Sequence, residues 1–398
     1  MKYWLIAATL AGMATTPALA QKSYGPGVSD TEIKIGNTMP YSGPASAYSS
    51  QGKTETAYYN MINAQGGVNG RKITFLSYDD AYSPPKTVEQ TRKLVEQDEI
   101  LADFGPLGTP TNSAIQKYMN QKKVPQFFVS SGADKWNDPK NFPWTMPLYP
   151  SYTMEGKIAA KYLLKEKPDG KIAILYQNDD SGKDYVKGFK EGLGDKVKQI
   201  VIEKTYEVTD PTLDSQMVAL KGSGADVFFA MSTPKFGAQA IKKAAELGWK
   251  PLYYVVSVSS SIKGALEPAG LQNAVGLITA TGGKIASDPR WDNDPEMKEF
   301  VAFMKKWAPD QDPNDQSTGV GYMSAWLTAK VLKDCGDNLT RENLLKVLTS
   351  IKDLQLPTML PGVTLTITPD NYVGFNKLQI VRFDGKTWQP IGDLISAQ

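Results

Sequence analysis

The sequence predicts an α/β chain built as two doubly wound lobes, each a parallel sheet with helices on both faces. Two observations carry this. Strand-patterned and helix-patterned segments alternate over most of the chain, the order that crossover-connected parallel strands produce. A length of 398 residues also suits two domains better than one.

The first series opens at Ile33–Met39, where apolar and polar residues alternate until Pro40, Gly43 and Pro44 interrupt them. Ser49 to Gly52 offers capping and breaking residues. Thr54–Asn63 then places Ala57, Tyr58, Met61 and Ile62 at helical spacing, and Gln65-Gly-Gly-Val-Asn-Gly70 ends that helix, because glycine enters the left-handed region at little cost. Strands follow at Lys72–Tyr78, Leu101–Phe104 and Gln126–Val129, with helices at Lys86–Glu96 and Thr111–Asn120 between them. Pro125 stands just ahead of the fourth strand, where its missing N–H costs the ladder little.

A second series begins near Ser151. Its helices are Thr153–Leu164, Lys183–Leu193, Leu213–Lys221 and Phe236–Leu247, and its strands Lys171–Tyr176, Lys198–Lys204, Asp226–Met231, Leu252–Val256 and Val275–Ala280. Three helices close the pattern, Glu296–Trp307, Gly319–Lys333 and Arg341–Leu348. Val363–Thr368 and Lys377–Phe383, with Asp384-Gly385 as a turn, read as antiparallel strands.

Composition excludes several chemistries. Lys and Arg number 44 against 42 Asp and Glu, a balance that gives nucleic acid no electrostatic footprint. The sequence holds no histidine and one cysteine, Cys335, so histidine triads, imidazole metal sites and thiolate clusters have no residues to build them. Cys335 follows Ala329, Val331 and Leu332 on an apolar helix and reads as a core residue. Lys2, the apolar run Tyr3 to Ala11 and Ala18-Leu19-Ala20 form a secretory leader, with the mature chain expected from Gln21. That run is too short to span a bilayer.

The stretch Ile33–Ile73, with Tyr41-Ser-Gly-Pro44 after its strand and the glycine turn after its helix, resembles the opening unit of periplasmic solute-binding proteins of the branched-chain amino acid (Leu/Ile/Val-binding) ABC importer family. The resemblance runs from about Ile33 to about Gly392. It implies the type I periplasmic binding protein fold, two lobes joined by a three-crossover hinge near Pro147–Ser151, Thr279–Lys284 and Leu356–Pro361. The expected division is a leader at 1–20, one lobe from 21–148 and 282–357, and the other from 149–281 and 358–398. Ligand is expected between the lobes, at the carboxyl ends of the strands.

Four groups of loop residues carry the expected site. In Tyr41 to Tyr48, Tyr41 lies beside the ligand loop, and Tyr48 matches the family position whose ring packs on the ligand. In Gly105 to Thr111, Leu107 and Gly108 allow close backbone approach, and Thr109 stands at a helix start suited to a carboxylate. Ser130, Ser131, Gly132, Ala133 and Asp134 match the stretch that supplies main-chain groups and a threonine hydroxyl in amino-acid-binding relatives. Asp134 replaces that threonine, and either pairs with a ligand ammonium or caps its own turn. Trp136 lies close by as a pocket wall. The second lobe contributes Tyr152, Ser181, Ser232, Thr233, Phe236 and Ser257. Ser181 stands where those relatives usually have a tyrosine, and Ser257 where they have the acid that holds an α-ammonium.

Other patterns are weaker. Ser50-Gln-Gly-Lys53 and Ser232-Thr-Pro-Lys235 fit S-x-x-K, but so do Ser83 to Lys86 and Ser260 to Lys263, and S-D-N and K-T-G are missing. Asp79-Asp80 and Asp179-Asp180 are adjacent carboxylates whose side chains diverge. The acidic runs 288–296 and 310–315 lack calcium-loop spacing. The expectation is therefore a soluble, monomeric periplasmic protein that needs no cofactor or metal, does not insert in the membrane, and delivers a small-molecule ligand to an inner-membrane ABC permease. The favoured ligand is a small apolar or aromatic carboxylate, with a hydrophobic amino acid as the alternative. A ligand-sensing module for a receptor and a serine-type hydrolase are the alternatives of other classes.

Overall fold

The computed structural model describes residues 22–396; the expected leader and its cleavage point lie outside them. Its first sheet has five parallel strands: β1 (Glu32–Met39), β2 (Lys72–Asp79), β3 (Ala102–Phe104), β4 (Gln126–Val129) and β5 (Thr145–Pro147), in the order β2-β1-β3-β4-β5. Helices α1 (Ser49–Ala64), α2 (Pro84–Glu96) and α3 (Thr109–Lys122) connect its strands. The period of two sorts the faces. Ile33 and Ile35 join the aromatic core of Tyr58, Tyr59, Phe300 and Tyr322, whereas Gly36, facing the other way, lets Leu94 of α2 close against the sheet.

After α4 (Tyr152–Glu166) a seven-stranded sheet takes over. Its strands are β6 (Ile172–Gln177), β7 (Ile200–Tyr206), β8 (Val227–Ala230), β9 (Leu252–Val255), β10 (Ile278–Thr281), β11 (Lys377–Phe383) and β12 (Trp388–Ser396), in the order β12-β11-β10-β9-β8-β6-β7. Only the pairings of β11, with β10 and β12, are antiparallel. Ile172, Ile174 and Phe229 face α4 and α5 (Asp180–Leu193), while Ala173, Leu175 and Phe228 face α6 (Asp214–Gly222) and α7 (Pro234–Glu246). Strands buried on both faces read as unbroken apolar runs, as VFFA does.

The chain returns to the first core through α8 (Pro295–Trp307), α9 (Gln316–Asp334) and α10 (Arg341–Leu348). Its last crossing differs from expectation. Thr358 and Leu360 pair with Lys284 and Gly282 at the hinge, but the chain then turns back, and Leu365, Ile367, Tyr372 and Phe375 bury in the first core before Leu378 enters the second. The crossing thus lies between Phe375 and Leu378, because five more apolar side chains, Val363 among them, belong to the first lobe. Val363–Thr368 is antiparallel strand as expected but only over Thr364–Leu365, which pairs with Leu354–Gln355, and β11 pairs with β12 across the Asp384-Gly385 turn. Cys335 is buried, and no described helix is long and apolar enough to cross a membrane.

Candidate functional site

The cleft between the lobes holds a space of about 600 Å³, part of it open to solvent. From the first lobe come Tyr48, Gln51, Tyr82, Leu107, Gly108, Thr109 and Ser130, and from α9 Gln316, Ser317 and Val320. The second lobe adds Tyr152, Ser181, Met231, Thr233, Val258 and Ser261, with Tyr149 at the first crossing. None of these side chains is charged. Several stand instead in the first turns of helices: Thr109 opens α3, Tyr152 α4 and Gln316 α9, Ser181 is the second residue of α5, and Thr233 precedes α7.

Side chains already cap three of these helix starts. Ser151 accepts from Met154 N, Asp179 from Gly182 N and Asp315 from Ser317 N. The starts of α3 and α7, one in each lobe, carry no side-chain cap. Their unsatisfied N–H groups and positive dipole ends suit negatively charged oxygen. Thr233 is 3% exposed, and its Oγ1 has no hydrogen-bond partner.

A relay of hydrogen bonds sets the proton of Thr109. Ser131 Oγ accepts from Trp136 Nε1 (2.9 Å) and from Ala133 N (3.3 Å), which occupies both of its lone pairs. Its own hydrogen therefore goes to Thr109 Oγ1, 2.7 Å away, and leaves the Thr109 hydroxyl hydrogen for the cleft. Trp136 and Ser131 thus act one step behind the pocket. Ser130 Oγ donates to Gln51 Oε1 (2.9 Å), and Gln51 Nε2 is held by Glu55 and the Gly105 carbonyl. Burial pushes the Glu55 carboxyl up to about 8, against the opposing pull of Gln51 and Asn37.

The sequence reading missed Tyr82, and its placement uses the carboxylates that reading set aside. Ala81 and Tyr82 both adopt positive φ, 52° and 58°, a costly conformation for residues with side chains. Asp79 accepts from Ala81 N (3.0 Å) and Asp80 from Tyr82 N (2.9 Å), so the paired aspartates clamp the turn that delivers Tyr82. Tyr82, Tyr48 and Leu107 form an apolar cluster with Val208 of the second lobe, and Tyr48 Oη donates to the Val258 carbonyl across the cleft (2.9 Å). A positive φ at Phe128 and a bulge in β4 set the chain direction into Ser130.

Of the residues expected to bind ligand, Tyr48, Leu107, Gly108, Thr109, Ser130, Tyr152, Ser181 and Thr233 line the cleft. The others do not. Tyr41 turns back to Ser77 and packs over Gly52, which is no helix breaker but a point of close approach inside α1. Gly132 sits under the Pro150 carbonyl, and Ala133 and Trp136 bury in the second lobe's core. Ser232 bonds to Ser259, and Phe236 packs on Tyr206. Asp134 resolves against the ammonium role: it accepts from Ser151, Thr153 and Lys187, away from the cleft. Ser257 lines a neighbouring hinge-side chamber, where its N and Oγ donate to Glu155, a buried carboxylate that Tyr185 and Tyr254 also bind. Burial raises the Glu155 carboxyl to about 7. The S-x-x-K serine Ser50 donates to Asp315.

Three comparisons bear on this arrangement. The sequence pattern of the family described as periplasmic binding protein matches residues 32–387. A curated relative, Leu/Ile/Val-binding protein homolog 7 of Brucella suis biovar 1, is 26% identical over 349 residues, covering 82% of this chain and 80% of the relative. Among solved structures, a branched chain amino acid ABC transporter from Thermus thermophilus with bound valine superposes with a TM-score of 0.82 at 16% identity, over 93% of this chain and 97% of that one. A fatty acid ABC transporter substrate-binding protein from Thermomonospora curvata does so with 0.78 at 22%, over 94% and 95%. At these identities the structural likeness speaks for the fold.

Proposed function

The chain belongs to the periplasmic binding protein family, and from that premise we propose that it is the substrate-binding component of an ABC importer whose ligand is a small carboxylate with an apolar or aromatic body and no α-ammonium. The observation that carries the ligand class is a cleft without a charged side chain, faced by two uncapped helix starts, α3 and α7. A carboxylate finds donors at both. An ammonium would lose its hydration with no anion to replace it, because Asp134 is engaged by Lys187 and Glu155 lies fully bonded beneath Ser257. Thr109 and Thr233 donate to the carboxylate, while Tyr48, Tyr82, Tyr149 and Tyr152 flank its apolar body. The relatives named above support a carboxylate in general, since amino acids and fatty acids share that group.

Capture would proceed by closure. The Tyr48 to Val258 bond and the cluster around Val208 join the lobes at the cleft, and ligand touching both walls favours that closed arrangement. The permease is the expected partner. A thermal-shift screen of leucine, valine and phenylalanine against benzoate-, cinnamate- and hexanoate-type acids tests the reading, since a ligand bound only by the native state raises its melting temperature. Stabilisation by the deamino acids is expected; stabilisation by amino acids alone would overturn the ligand class.

A further inference from the structure

We propose that the binding space does not end at the cleft but continues into the hinge-side chamber, which holds the apolar tail of an elongated carboxylate ligand. The proposal rests on the carboxylate reading of the cleft. The chamber is a space of about 950 Å³, part of it open to solvent, walled by both lobes and by all three crossings. Leu148, Phe300, Met323, Met359, Phe375 and Leu378 give it an apolar lining.

Its lysine is paired with carboxylates from outside, and its aspartate is held by neutral donors. The Lys284 ammonium, on a side chain 3% exposed, is held between Asp294 (2.8 Å) and Glu296 (3.0 Å). Asp315 accepts from Ser50, Ser261 and Ser317. A ligand segment entering here therefore meets mostly hydrocarbon, with Asn314 Oδ1 a buried polar atom of the lining that lacks a partner, and this favours a tail over a charged end.

The two spaces share Tyr149, Ser261, Gln316 and Val320. Side-chain contacts, several of them long, form the partition: Gln316 Nε2 lies 3.5 Å from Tyr149 Oη, Tyr149 Oη 3.3 Å from Ser257 Oγ, and Ser260 Oγ donates to Gln316 Oε1 at 3.0 Å. A rotamer change at Gln316 opens the passage without moving backbone. One turn further along α9, Gly319 lines the chamber, and a Cβ placed there meets nothing within 4 Å. Glycine weakens a helix interior, and no close neighbour requires it here. Glycine thus leaves open space beside this part of the chamber wall, and a larger side chain at 319 has room to narrow it.

Calorimetry with straight-chain monocarboxylates of about four to twelve carbons tests the proposal on the wild type, Gly319→Leu and Thr109→Val. Wild-type affinity should rise at least tenfold from the shortest acid to the best long one. Gly319→Leu should remove that gain while leaving the shortest acid within about twofold, and its melting temperature should not fall, since leucine is the better helix former. Thr109→Val should weaken short and long acids alike. Short acids binding with no gain from length, or a length gain that survives Gly319→Leu, would overturn the tail chamber and leave the cleft reading standing. No binding at any length would refute the cleft reading and the tail with it.

Discussion

The two lobes hold their walls of the cleft by different physical means. The first spends backbone strain: Ala81, Tyr82 and Phe128 sit at positive φ, and Asp79 and Asp80 pin the turn at Tyr82. The second lobe works through satisfied bonds, with Ser257 N, Ser257 Oγ, Tyr185 Oη and Tyr254 Oη all donating to one carboxylate, Glu155. Strain should therefore concentrate in the first lobe, and intolerance of a single deletion in the second.

The largest expected effect follows from that contrast. Glu155→Leu leaves four buried donors without an acceptor and should cost about 3 kcal/mol or more of stability; urea unfolding reads this. A loss under about 1 kcal/mol would remove the distinction between the lobes. Next comes Thr109→Val, which deletes a donor to an anion worth about 1.5–3 kcal/mol. Affinity for the carboxylate should fall about tenfold to a hundredfold, and unchanged affinity in calorimetry would move the carboxylate elsewhere.

The pH dependence is smaller and is shared by the lobes, because burial raises Glu55 of the first to about 8 and Glu155 of the second to about 7. The Glu55 carboxyl titrates near 8 when folded and from 4.5 when free, so between those values the native state binds a proton that the unfolded chain has released. Stability must then fall as pH rises across this window, and Glu55→Gln should flatten the slope. An unchanged slope in melts from pH 5 to 8 would show that Glu55 is not the source. The smallest effect is Asp134→Asn. Its ion pair with Lys187 is partly exposed, such pairs contribute little, and ligand affinity should stay within about twofold.

The alternating sheet-and-helix order was legible because buried strands and amphipathic helices have different periods. Helix starts were less so. The sequence reading began α5 at Lys183 and α9 at Gly319, whereas they begin at Asp180 and Gln316, since polar capping residues read as loop. Those few residues include Ser181, Gln316 and Ser317, all in the cleft. Tyr82 escaped because left-handed backbone is expected of glycine. Glu155 escaped because a carboxylate in the first turn of a helix reads as solvent-facing, and only the fold brings Ser257 over it. Trp136 was placed in the pocket by nearness in sequence, yet its indole packs into the second lobe's core and acts on the cleft through Ser131.

The central claim is that the cleft accepts a carboxylate and rejects an α-ammonium. Phenylalanine and 3-phenylpropanoate differ in that group alone, so calorimetric titration of both against the wild-type protein isolates it. The charge-free cleft predicts that 3-phenylpropanoate binds and that phenylalanine binds at least about a hundredfold more weakly, a difference near 3 kcal/mol. Phenylalanine binding as tightly or more tightly would contradict the account.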